Sequence, residues 1–288
     1  MPVLQPNQIE AFRRDGVLVV ENAIDGALLA ALRDDFAAWV EESRARPGDW
    51  GAWVDGRPRF EVEPEHGPET PALRRVQAPT EISEACFRAV VESPVADMVA
   101  DLIGPDVKLH HSKINSKLPK SSTVVKWHQD FPFTPHSNAD LVTALIMIDE
   151  VTPENGPLEV VKGSHRGPLM SLWHDGVFTG AVAPEVEADC RARAEMCCGP
   201  AGSVCLMHTR LLHGSAPNRS ARPRTLLIAV YAAGDAVALS PNPVPSRHDG
   251  LFVRGADPGR IRSEAFEIER PEYPKTSFFA QQKAALGG

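Results

Sequence analysis

The chain has no apolar run approaching the roughly 20 residues that a membrane-spanning helix needs. Met1 to Arg14 holds no basic stretch leading into an apolar segment, so no secretory leader is expected. There is no basic run and no basic-aromatic stripe, and the formal net charge is -8, which gives a nucleic-acid partner little support. The five cysteines, Cys86, Cys190, Cys197, Cys198 and Cys205, are odd in number and include no C-x-x-C pair. That argues against a cysteine zinc site and against a disulfide framework, and favours reduced thiols in the cytoplasm. Internal repeats and low-complexity tracts are also missing.

What is present suits one large core: 288 residues, 43% of them hydrophobic. Helical spacing runs over Gln8–Arg14 and over Ala27–Glu42, where Leu28, Leu29, Leu32, Phe36 and Val40 share a face. A short β-rich run, Gly16–Val20, lies between them. Residues 44–79, rich in Gly, Pro and charge, read as a long surface loop, with Arg57, Arg59, Arg74 and Arg75 solvated on it. Ile82–Ile103 reads as one helix ending at Gly104-Pro105. Beyond Val107 the pattern changes to short β-branched runs broken by turns: 107–115, 124–128, 141–151, 158–162, 203–208 and 224–232. An all-β core of sandwich or jelly-roll type is expected over 107–235. Residues 1–106 form a mainly helical flank with a lid loop, and 236–288 a Pro-rich wrap, all within one domain.

The chemistry centres on His128-Gln129-Asp130 and a distant His213. On a strand, residues two apart point to one face, so His128 and Asp130 can grip one ion, with His213 arriving from another strand. Two imidazoles and a carboxylate suit Fe(II) and leave positions open for a bidentate cosubstrate and O2. The same set would also serve a zinc hydrolase or a metal-binding barrel without catalysis. Arg224 argues against both. The Pro217–Pro223 turn sends the next strand back beside His213, with Leu226, Ile228 and Val230 marking it as buried. A buried guanidinium needs an anion, and the far carboxylate of 2-oxoglutarate is the natural one. Ser215, two residues after His213, adds a hydroxyl on the same face.

These motifs carry a resemblance. Phe12–Val20, Asn155-Gly156-Pro157-Leu158 with Gly163-Ser164-His165, and His213-Gly214-Ser215 with Asn218 and Arg224 together resemble the phytanoyl-CoA dioxygenase family, over about residues 8–235. His111–Asn115 followed by Trp127-His128 is similar to ectoine hydroxylase-like members. The resemblance implies a double-stranded β-helix with flanking N-terminal α-helices, and an Fe(II)- and 2-oxoglutarate-dependent dioxygenase releasing succinate and CO2. It implies that Asn115 hydrogen-bonds the cosubstrate. His111 stands where the family often has glutamine, and its charge near iron is expected to depend on pH. With Asp130 in place of the small residue of family halogenases, oxygenation is expected, with desaturation or ring closure as alternatives on the same machinery. Phe131, Phe133 and Thr134 follow the metal dyad, and Phe133 and Thr134 are expected to line the substrate pocket together with Trp173 from a loop holding His174 and Phe178. His110 and His208 point to opposite faces and read as structural. The expected partner is a small molecule, with no membrane and no nucleic acid, for a monomer or homodimer.

Overall fold

The computed structural model describes residues 2–119, 121–273, 278, 279 and 282. The N-terminal part runs α1 (Pro6–Asp15), β1 (Val17–Val20), α2 (Gly26–Ser43), β2 (Trp50–Ala52), β3 (Pro58–Val62), β4 (Leu73–Gln77), α3 (Glu84–Phe87) and α4 (Pro94–Ile103). The barrel follows with β5 (Val107–Lys117), β6 (Val125–His128), β7 (Leu141–Met147), β8 (Leu158–Val160), β9 (Trp173–His174) and β10 (Val177–Phe178). It closes with α5 (Pro184–Arg193), β11 (Glu195–Cys197), β12 (Val204–His208), β13 (His213–Ser215), β14 (Arg224–Ala233) and β15 (Phe252–Arg254).

Local chemistry sets the helix ends. Pro6 opens α1 and Gly16 closes it at φ 76°. The Asp25 carboxylate caps α2 by accepting from the Leu28 amide. Residues 82–103 are not one helix. A π-helical turn over Arg88–Glu92 ends at Ser93, whose hydroxyl and following Pro94 start α4 afresh.

Two antiparallel sheets face each other. The larger has the order β1-β12-β7-β14-β5-β4-β3-β2, with β15 on the end of β5; the smaller is β11-β8-β13-β6. This is the expected jelly roll. Along β14, Leu226 and Ile228 point into the barrel beside Leu145, Met147 and Met207, while Leu227, Ala229 and Tyr231 join Leu28, Leu32, Phe36 and Val99 of the helices outside. Both faces of the central strands β12, β7 and β14 are therefore largely apolar, and α1, α2 and α4 cover the back of the sheet.

The 44–79 segment departs from expectation. It supplies β2, β3 and β4, which extend the large sheet, so residues 1–106 are part of the barrel wall as well as its helical flank. Arg74 and Arg75 lie buried on β4 instead of in solvent. Arg59 donates to the Gln77 and Ala78 carbonyls and pairs with Glu81. Arg57 stacks on Trp53 and Tyr273 and donates to the Tyr273 hydroxyl.

Acid sensitivity is built into this packing. His136 is buried, with Nδ1 against the Thr134 carbonyl. Burial, then His110, pushes its imidazole down to about 4; Lys108 acts in the same sense and Asp249 opposes. A folded value below the unfolded 6.5 favours the fold above pH 6.5, and that contribution is lost as pH falls toward 4. His136 is expected to cost about 2 kcal/mol of stability between pH 7 and pH 5. Urea unfolding at both pH values checks this: His136→Gln should show the smaller loss, and an equal loss would rule the histidine out.

Candidate active site

His128 ends β6 and His213 begins β13, and the two residues are direct cross-strand partners in the small sheet. Asp130 lies beyond the strand, at φ -72° and ψ -35°, opening a short helical turn over Phe131–Phe133. The strand alternation expected to align it with His128 therefore does not apply; a turn brings it to the same point. Asp130 Oδ1 is 3.5 Å from His128 Nε2 and 3.6 Å from His213 Nε2. All three donor atoms lie within 4.8 Å of one another, and this is the one such group among the described residues. Nδ1 of His128 meets the Lys126 carbonyl at 2.7 Å, and Nδ1 of His213 meets the Leu211 carbonyl at 2.9 Å. Each Nδ1 therefore serves as donor, which leaves the Nε2 lone pairs for an ion. Thr143 donates to Asp130 Oδ2 at 2.8 Å, reserving Oδ1. Burial, helped by His128, pushes the His213 imidazole down to about 4. Burial alone would raise the Asp130 carboxyl, but His213 and His128 hold it well below the usual carboxylate range. Two imidazoles and a carboxylate are the donor set that Fe(II) takes.

Arg224 opens β14 and is buried. The turn after His213 does not return beside β13; it crosses to the opposite sheet, where Arg224 lies directly across from Lys117 on β5. Lys117 went unremarked in the sequence, yet strand alternation places Lys113 and Lys117 on the same face of β5 as His111 and Asn115, the two residues that the resemblance singled out. Lys117 Nζ donates to the Ser215 hydroxyl at 2.7 Å and to the Ala216 carbonyl. Burial pushes Arg224 down to about 10. Burial, then Arg224, pushes Lys117 well below its ordinary value. Among the described residues no carboxylate lies within ion-pair distance of either. Two adjacent buried cations without a counter-ion are unfavourable until an anion binds.

The Arg224 guanidinium is held from behind by the Gly156 carbonyl, which accepts from Nε at 2.9 Å and Nη2 at 2.8 Å. Gly156 sits at φ 76°, and a Cβ there would lie 2.5 Å from the Ala216 carbonyl oxygen. Gly156→Ala is expected to cost about 3 kcal/mol and to lower Tm by about 5 °C. It should also raise the 2-oxoglutarate requirement by displacing Arg224. Thermal melts and titrations test both, and an unshifted Tm would show that the loop adjusts freely.

One cavity of about 920 Å³ joins the two centres and is lined by His111, Lys113, Asn115, Phe133, Thr134 and Ser215, among others. Phe133 packs edge-on against His128 at 5.6 Å. Trp173 is not in it; its indole donates to the Arg270 carbonyl and it lines a separate small cleft with Phe178. Phe131 packs away against Phe266. Asn115 Oδ1 accepts from Arg75 Nε at 2.9 Å. His111 is held neutral by burial, then by His110, so its expected charge change near neutral pH does not arise. His110 is hydrogen-bonded to Asn242 and His208 stacks near His165, both away from the ligand set. Phe278 is unforeseen: its ring stands 5.6 Å from that of His128.

Known proteins resemble this chain in sequence and fold. The family model for phytanoyl-CoA dioxygenase (PhyH) matches residues 12–226. A probable alpha-ketoglutarate-dependent hypophosphite dioxygenase of Stutzerimonas stutzeri is 38% identical, over 68% of this chain and 70% of its own length. L-proline trans-4-hydroxylase of Streptomyces griseoviridis is 32% identical, over 60% of this chain and 71% of its own. The crystal structure of EctD from S. alaskensis with bound Fe superposes with a TM-score of 0.67 at 25% identity, covering 94% of this chain and 89% of that one. The family match spans most of the chain, so this chain belongs to the phytanoyl-CoA dioxygenase family and is a 2-oxoglutarate-dependent non-haem iron dioxygenase.

Proposed function

We propose that the protein hydroxylates a small-molecule metabolite, with His128, Asp130 and His213 holding Fe(II) and with Arg224, Lys117 and Ser215 holding the far carboxylate of 2-oxoglutarate. Iron, with 2-oxoglutarate and O2, supplies the oxidising chemistry and yields succinate and CO2. The chain's own work is positional. The Lys126 and Leu211 carbonyls fix the imidazole tautomers, Thr143 fixes the carboxylate, and Gly156 aims the guanidinium. Phe133 and Thr134 bound the space beside His128 where substrate would stand. Asn115 and His111 lie on the β5 face between the centres and would contact the keto-acid end.

The observation that carries this reading is a pair of registers: His213 opposite His128 in one sheet, and Arg224 opposite Lys117 in the facing sheet. A zinc hydrolase or a non-catalytic barrel gives the paired cations nothing to do. The relatives act, by their names, on hypophosphite and L-proline, which are small polar molecules. The five cysteines are free, which fits the cytoplasm.

Anaerobic titration of the Fe(II)-loaded protein with 2-oxoglutarate tests the assignment. A visible charge-transfer band should grow with the keto acid. Iron bound without such a band would return the site to the hydrolase or binding-protein readings.

A further inference from the structure

We propose that the substrate is a small oxyanion, gripped by Lys113 and Arg75 at a second cationic corner of the cavity. This rests on the reading of Lys117 and Arg224 as the cosubstrate end. Lys113 and Lys117 share the cavity face of β5 but are four residues apart, which is about 13 Å of strand. They are placed to serve different anionic groups. In the register with β4, Arg75 lies opposite Asn115 and Gln77 opposite Lys113, so the guanidinium and the ammonium occupy one corner.

That corner is short of negative charge. Glu61 is taken up by Gln77, which donates to it at 2.8 Å, and by Arg74 at 3.8 Å. Asp130 belongs to the metal ligands. Among the described residues, no carboxylate lies within ion-pair distance of Lys113 or Arg75, and Lys113 makes no hydrogen bond. Arg75 spends its Nε on Asn115. Fe(II) and 2-oxoglutarate, once bound, cancel in formal charge and leave this excess uncorrected.

Aromatic rings close the corner. Phe278 and Phe279 lie 5.1 and 4.6 Å over the Arg75 guanidinium, and Phe278 also touches the His128 side of the cavity. Ring faces favour the cation without neutralising it, and they shut out water. An oxyanion entering here would be desolvated against two cations, with its far end directed toward the metal ligands. A carboxylate and a phosphorus oxyanion meet this chemistry equally.

The test uses the Fe(II)- and 2-oxoglutarate-loaded enzyme and measures succinate release. Probes are short aliphatic carboxylates, alkylphosphonates and phosphinates, each set beside the neutral amide or ester of the same skeleton. Stimulation should be confined to anions, and the carboxylate and phosphorus arms identify which group is read. Lys113→Met should raise KM for the active anion on the order of 100-fold, while the 2-oxoglutarate dependence of the visible band moves less than threefold. Lys113→Arg should recover much of the loss, which separates charge from folding. Equal stimulation by neutral isosteres, or by no probe at all with the band intact, would overturn the proposal. So would a Lys113→Met variant whose defect lies in 2-oxoglutarate binding. A wild-type protein that never shows the band would instead sink the cosubstrate assignment beneath it.

Discussion

Asp130→Ala is expected to reduce succinate release to background, a loss on the order of a thousandfold or more, since losing even an outer partner of a metal ligand typically costs 10–100-fold. The carboxylate is the one anionic member of the ligand set, and it is the atom both imidazoles face, at 3.5 and 3.6 Å. Its removal leaves two imidazole rings 4.1 Å apart, with no anion to offset a dication. It also strands the Thr143 hydroxyl, so a modest fall in Tm should accompany the loss. Three readings on one preparation decide the matter: iron content, succinate release and the thermal midpoint. Iron and activity should vanish together while the protein stays folded. Near-normal succinate from a folded Asp130→Ala protein would sink the metal assignment.

The metal ligands were legible in sequence because H-x-D with a distant histidine is a chemical pattern that survives any local geometry. The reason first available for it was wrong, since Asp130 sits on a turn where strand alternation does not operate. Strands β7 and β14 were legible because Leu, Ile and Val crowd them on both faces, which follows from helices covering one side of the sheet. Strands β3 and β4 were not. Their inward residues include Glu61, Arg75 and Gln77, cavity-lining groups whose polarity reads as a solvated loop when no sheet is in view. The same polarity is what gives the substrate corner its charge. The break before α4 turned on Ser93-Pro94, inside a run whose hydrophobic spacing is helical throughout. The approach of Phe278 to His128 joins residues too distant for any local pattern to pair them.

Arg224→Ala is expected to raise the 2-oxoglutarate requirement on the order of 100-fold, matching about 3 kcal/mol for a buried charge-assisted contact. The rise should appear in KM for 2-oxoglutarate more than in kcat, because the contact is made equally before and during the reaction. Lys117 lies directly opposite and keeps a cation at the site, so the single variant should retain weak binding. Lys117→Met should do comparable harm by also releasing Ser215. Because both groups would hold one carboxylate, the double variant should lose less than the two single losses combined. Additive losses would mean that the two cations serve separate anions. An unchanged 2-oxoglutarate requirement in Arg224→Ala would move the far carboxylate to the Lys113–Arg75 corner and leave the Lys117 end for substrate. The two cationic ends would then exchange roles, and the double-variant measurement reads which way round they work.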